Sequence, residues 1–209
     1  MTYRHDVFIS YRRQLLWTPW TRDHFKVLLT AYLQQELGAP PDVFVDERIE
    51  VGADWVDELG THLACSKAMV AILSRDYFGS PWCLHELDLM LERSLGARPL
   101  IVPVIVQDCD NLPPPIGRVQ SADFKDYRLT HMSRDGLTYE QFSAAIKRLA
   151  PTLASTISGA PPFDATWADG CKRRFGEVYM EQQAGRTLAP TQFVTPPTAL
   201  FTSLPQLIP

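Results

Sequence analysis

The stretch SPWCLHELDLML, residues 80–91, puts one carboxylate, Glu86, one helical turn after a large aromatic, Trp82. Ser80 can cap a helix, and Pro81 suits its first position, where a missing N–H costs nothing. Leu84, Leu87, Leu91 and Leu95 recur at helical spacing and predict the buried stripe. Trp82 and Glu86 are then expected together on the solvated face, where an aromatic beside a single carboxylate asks for a ligand. With Ser80 as the cap, the third helical position is Cys83, so Glu86 is not explained as a capping-box acid. A second polar group, Ser10, Tyr11, Arg12 and Arg13, follows the apolar run DVFIS. Arginine pairs bidentately with phosphate oxygens, and aromatic side chains lie well against flat rings. A ligand combining phosphates with flat rings would suit these residues.

The elements that must position them are legible as four short apolar runs: 6–10, 42–45, 68–73 and 100–106. They are continuous, not alternating, as for strands covered on both faces. Helical patterns lie between them. One runs from about Thr21 to Leu37, with Phe25, Leu28, Leu29, Tyr32 and Leu33 on its apolar side and Gly38 as its stop. A shorter one covers Trp55 to Ala64, and the third begins at Trp82. Strand and helix in alternation predict a parallel α/β sheet with helices on both faces. A closing helix is expected from about Tyr139 to Ile157, with Pro151 expected to end or kink it early. In such a sheet, ligands bind beyond the carboxyl ends of the strands. The segments to read are therefore Ser10–Arg13, Asp46–Trp55 and Ser74–Trp82. Neither a Walker A sequence nor G-x-G-x-x-G occurs, so those two phosphate-binding modes do not apply.

Bulk composition narrows the classes further. Of 209 residues, 45% are hydrophobic and 21% charged, as in a globular protein, and the net charge of -4 gives no support to a general nucleic-acid binder. Cys65, Cys83, Cys109 and Cys171 stand far apart with no C-x-x-C pair, so neither a zinc site nor a disulfide framework is expected; reduced thiols in the cytoplasm are the simplest reading. The first ten residues lack the apolar core of a secretory signal, and PLIVPVIV is far too short to span a bilayer. No direct nucleic-acid or membrane partner is expected. After residue 157 the character changes. SGAPP reads as a linker and 164–183 as a helix. Thr187 to Pro209 then holds no charged residue and five prolines, and reads either as a disordered tail or as an arm that docks on a partner protein or another copy.

HDVFISYRR, DERIEVGADWVDEL and CSKAMVAILSRDYFGSPWCLHEL, in that order, resemble the three signature boxes of a TIR (Toll/interleukin-1 receptor) domain. The resemblance covers roughly residues 3 to 155 and divides the chain into a TIR domain, 1–157, and an extension, 158–209. It implies a flavodoxin-like fold with a five-stranded parallel sheet. It is strongest toward the NAD-cleaving members of bacterial antiphage defence and animal axon degeneration. Their W-x-x-x-E pattern falls on Trp82 and Glu86, so the resemblance assigns Glu86 the catalytic role. It places Ser10, Tyr11, Arg12, Arg13, Trp55 and Trp82 around NAD⁺, here a substrate and not a cofactor. It makes Asp46, Glu47, Arg48, Ile49, Glu50, Val51 and Gly52 the loop through which such domains associate.

Plainer readings stand beside these. Trp82 reads equally as a packing residue, Arg12 and Arg13 as surface charges, Asp46 as a local anchor of its loop and Gly52 as a turn glycine. His85 points about 100° away from Glu86 around the helix and makes no dyad with it. At the level of function the implied activity is NAD⁺ glycohydrolysis or ADP-ribose cyclisation, dependent on assembly. The rivals are a non-enzymatic TIR adaptor and a nucleoside-processing transferase on a related fold.

Overall fold

A computed structural model describes residues 2–46, 53–94, 98–109, 112, 114–117, 121–127 and 136–183. Strands β1 (His5–Tyr11), β2 (Val43–Val45), β3 (Ser66–Leu73), β4 (Ile101–Ile105) and β5 (Ala122–Asp123) form one sheet in the order β2-β1-β3-β4-β5. Every pairing is parallel, and β1 pairs with both β2 and β3, with Val7 opposite Val43 on one side and Ala68 on the other. The apolar runs give the first four strands. The fifth is only two residues long and left no run to read.

Because side chains alternate across a strand, parity sorts the core into two layers. Val7, Ile9, Val70, Ile72, Val102 and Val104 face one side. There they meet α2 (Lys26–Leu37) and α7 (Leu137–Ser158), through Leu29, Leu33, Phe142, Ile146 and Leu153. Upstream of α2 the helical path already begins at α1 (Trp17–Pro19) and passes through a π-helical turn, Trp20–Phe25. That turn stacks Trp20 on Phe25 at 5.2 Å, and Trp20 Nε1 donates to the Tyr127 carbonyl at 2.6 Å. Pro151 neither ends nor visibly breaks α7, which continues to Ser158 and buries Leu153, Ala154 and Ile157 beyond it. Burial of that apolar stripe outweighs the one backbone hydrogen bond proline removes.

Phe8, Met69, Ala71 and Leu73 face the other side, toward α3 (Ala53–Ala64) and α5 (Pro81–Arg93). Short α4 (Arg75–Phe78) links β3 to α5, and another helical turn, α6 (Pro114–Gly117), follows β4, with Ile116 buried. The last helix, α8 (Ala165–Gln183), is capped by Asp164, whose carboxylate accepts from the amides of Thr166 and Trp167 at 2.8 and 3.1 Å. It is seated in this second layer: Ala168, Cys171 and Phe175 are fully buried. α8 lies so close to α3 that a Cβ on Gly60 would stand 3.2 Å from both Lys172 Cα and the Phe175 ring. Arg174 pairs bidentately with Glu92 of α5, at 2.5 and 3.0 Å, and Arg93 lies over the Trp167 ring. All four cysteines are free thiols.

Candidate active site

The same parity that builds the second layer aims Ser10 into it, two residues after Phe8 and at the carboxyl end of β1. Ser10 is 1% exposed, and its hydroxyl lies 2.5 Å from Glu86 Oε2. Glu86 is itself only 6% exposed. This corrects the helical face read from the leucines. The buried stripe of α5 is Cys83, Glu86, Leu87 and Met90, joined by Leu84 and Leu89, while Leu91 is only partly buried; Leu95 lies outside the described residues. Hydrophobicity alone located the stripe one position too far round, because it assigned a carboxylate to water by default.

The helix start is as expected. Ser80 Oγ accepts from the Cys83 amide at 3.4 Å, with Pro81 at the first position. Arg12 Nη1 donates to the same Ser80 Oγ at 3.1 Å, tying the segment after β1 to the start of α5. Arg13 Nη1 lies 3.4 Å from Asp46 Oδ2, at the end of β2. Tyr11 belongs to the opposite layer by parity; it is 6% exposed, and its hydroxyl donates to the Asp46 carbonyl at 3.3 Å. Trp82 is half-buried, with its ring stacked 6.2 Å from Phe175 of α8. Trp82 thus packs on α8, as its plainer reading expected, and it also borders the cleft. Trp55 lies in α3, but its side chain is outside the described residues, as are Glu47, Arg48, Ile49, Glu50, Val51 and Gly52.

Sequence reading missed Tyr77. It is fully buried, and its hydroxyl contacts Ser10 Oγ at 2.9 Å and the Cys83 carbonyl at 3.1 Å. Its signal was available, since an aromatic between two short-capping serines, Ser74 and Ser80, is poor turn chemistry and needs a tertiary reason. Ser74 caps α4 by accepting from the Tyr77 amide at 3.2 Å and so fixes where the ring enters.

Burial dominates the electrostatics. It pushes the Glu86 carboxyl up to about 8; the Ser10 hydrogen bond opposes that rise, Asp46 adds to it and Arg13 draws it down. Burial likewise holds the Tyr77 phenol well above its usual range and raises the Cys83 thiol. His85 is driven the other way, down to about 4, by burial and then Arg174. It turns from Glu86 toward Phe175, with ring centroids 5.0 Å apart. Among the described residues no cation lies within ion-pair distance of Glu86, and no group of three His, Cys, Asp or Glu is placed to hold a metal. Ser10, Arg12, Arg13, Asp46, Trp82 and Glu86 border a cleft of about 50 Å³.

The family model described as "TIR domain" matches residues 7–137. The chain belongs to the TIR family. Its parallel five-stranded sheet is the fold that family predicts. Among curated relatives, this TIR chain is 30% identical over 157 residues to the disease resistance-like protein DSC1 of Arabidopsis thaliana, covering 74% of itself and 12% of DSC1. It is 24% identical over 124 residues to protein y4lF of Sinorhizobium fredii (strain NBRC 101917 / NGR234), covering 59% of itself and 38% of that protein. The chain thus spans well under half the length of these relatives. Among solved structures, the TIR domain of the Toll-related receptor TRR-2 from Hydra magnipapillata matches 68% of this chain and 98% of its own, at 17% identity and a TM-score of 0.41. Among the described residues of this TIR protein no helix is long and apolar enough to cross a membrane.

Proposed function

We propose that this TIR domain cleaves the bond between nicotinamide and ribose in NAD⁺. The observation that carries the reading is Glu86, a buried carboxyl with a raised pKa, held by Ser10 at the carboxyl end of the central strands. As the C1′–N bond breaks, nicotinamide leaves with the bonding electrons and its ring charge is neutralised. Positive charge then develops on the ribose. An ionised Glu86 beside that carbon stabilises the charge more than it stabilises the ground state, and it accepts hydrogen bonds from ribose hydroxyls. Water attacking C1′ gives ADP-ribose, an attacking group of the adenine gives a cyclic isomer, and a proton is released in either case. Arg12, Arg13 and Trp82 are the residues proposed to meet phosphates and base, with Trp55 and the 46–52 segment completing the rim. Activity on assembly, a cytoplasmic signalling or NAD-depleting role in bacterial antiphage immunity, and docking through residues 158–209 belong to this same proposal.

One observation favours a second reading. Glu86 is 6% exposed and engaged by Ser10, which suits an adaptor that only associates, or an enzyme at rest until neighbours open the site. Nicotinamide release from NAD⁺, measured at high protein concentration with a crowding agent for the wild type and Glu86→Ala, separates the two. Release by the wild type alone supports the enzyme and identifies the product by chromatography. Release by both variants would overturn the role of Glu86, and release by neither favours the adaptor.

A further inference from the structure

Hydrogens and acceptors around Glu86 can be counted one by one. Tyr77 has one hydroxyl hydrogen and two neighbours to receive it, Ser10 Oγ and the Cys83 carbonyl. Ser10 has one hydrogen and touches both Tyr77 Oη and Glu86 Oε2. With Glu86 protonated, each group donates once: Glu86 to Ser10, Ser10 to Tyr77, and Tyr77 to Cys83. Three contacts then use three hydrogens. With Glu86 ionised, Ser10 must turn and donate to the carboxylate. The single Tyr77 hydrogen then serves Ser10 or Cys83, and one of the three contacts is lost in a buried place where such losses are felt.

We infer that Tyr77 is a positioning residue for Glu86, acting through the Ser10 hydroxyl to complete a one-way donor chain that favours the protonated carboxyl. The functional weight of this rests on Glu86 being the reactive carboxylate; the titration does not. Among the described residues, the other charged or titratable groups facing the site are Arg12 and Arg13 after β1, Asp46 after β2, and Cys83 and Asp88 on α5. Arg12 is engaged with Ser80 and Arg13 with Asp46, so the hydroxyl chain, not an ion pair, is what touches Glu86 directly. The chain also supplies a response to substrate. A cationic ring arriving beside Glu86 favours the ionised form, and the Ser10 hydroxyl is the rotor that reverses to meet it.

The test is a carbon-13 NMR titration of the full chain with labelled glutamate, the Glu86 carboxyl signal being assigned by its loss in Glu86→Gln. Tyr77→Phe keeps the ring and removes the hydroxyl. The Glu86 midpoint is expected to fall by about half a unit to one unit, the worth of one hydrogen bond. In a Ser10→Ala background the same substitution is expected to leave the midpoint unmoved. An unchanged or raised midpoint overturns the inference, as does an equal fall without Ser10. Should Tyr77→Phe not fold, labelled Tyr77 in the wild type decides: its ring carbon bearing the hydroxyl must titrate together with Glu86, and a flat signal overturns the inference. In nicotinamide release, the kcat/KM profile of Tyr77→Phe is expected to shift toward acid by the same amount. A wild type that releases no nicotinamide removes the catalytic reading and leaves the titration to judge Tyr77.

Discussion

Two short polar chains stand at opposite ends of β1. At its start, His5 Nδ1 lies 2.6 Å from Asp42 and His5 Nε2 lies 2.8 Å from His62, whose ring stacks on Phe44 at 3.9 Å. At its end, Ser10 joins Glu86 and Tyr77 at similar distances. By residue type the first set looks more like chemistry, with two imidazoles and a carboxylate. Asp42, however, exposes 60% of its side chain, and water weakens what it can do. Glu86 is closed off on the buried face of α5, and exclusion of water pushes its carboxyl up to about 8. The difference teaches that solvent access, more than residue identity, separates a surface network from a poised acid.

The largest expected effect tests that contrast directly. Glu86→Ala should lower nicotinamide release by at least about 10³-fold, whereas Asp42→Ala should leave it within about twofold, as read by chromatography of assembled protein. Equal losses would erase the distinction between the two ends. Next in size is the packing behind the buried end. Phe175→Ala removes a fully buried ring against which Trp82 and His85 rest, and should cost about 3 kcal/mol in urea unfolding. A loss below 1 kcal/mol would mean that α8 is not part of the support.

The pH dependence of stability is a finer probe. Because the Glu86 pKa is raised in the folded state, its stabilising contribution is complete below the unfolded value near 4.5 and is lost as pH rises to about 8. Glu86→Gln does not titrate. Relative to wild type it should therefore gain stability across that window, reaching about 5 kcal/mol above pH 8. A difference that stays constant with pH would place the Glu86 carboxyl in water after all. The smallest effect belongs to the other end: Asp42→Asn should cost about 0.5 kcal/mol in low salt and nothing measurable near 0.5 M salt.

Much of the framework was legible because β1 to β4 are continuous apolar runs and because Ser80-Pro81 and Gly38 punctuate their helices locally. The two-residue β5 has too little chain to carry a pattern. Pro151 misled because local propensity yields to a long buried stripe. At the site, Trp82 and Glu86 were found by spacing, but the inward turn of Glu86 was not. Its burial depends on Ser10 and Tyr77, which lie 76 and 9 residues away in sequence and meet it only through the parity of β1 and the cap of α4. α8 shows the same limit. Its i, i+4 pattern marked the helix, while its seat against Gly60 needed the fold.

The sheet ends abruptly on both flanks. β2 offers three residues of edge and β5 two. A strand from another copy would find too few unpaired backbone groups for a lasting ladder. Should copies of this domain gather into an array, these described edges give one molecule's sheet little to continue into the next. An array held instead by helices and loops would be separable, unlike the fused hydrogen-bonded spine of a fibril.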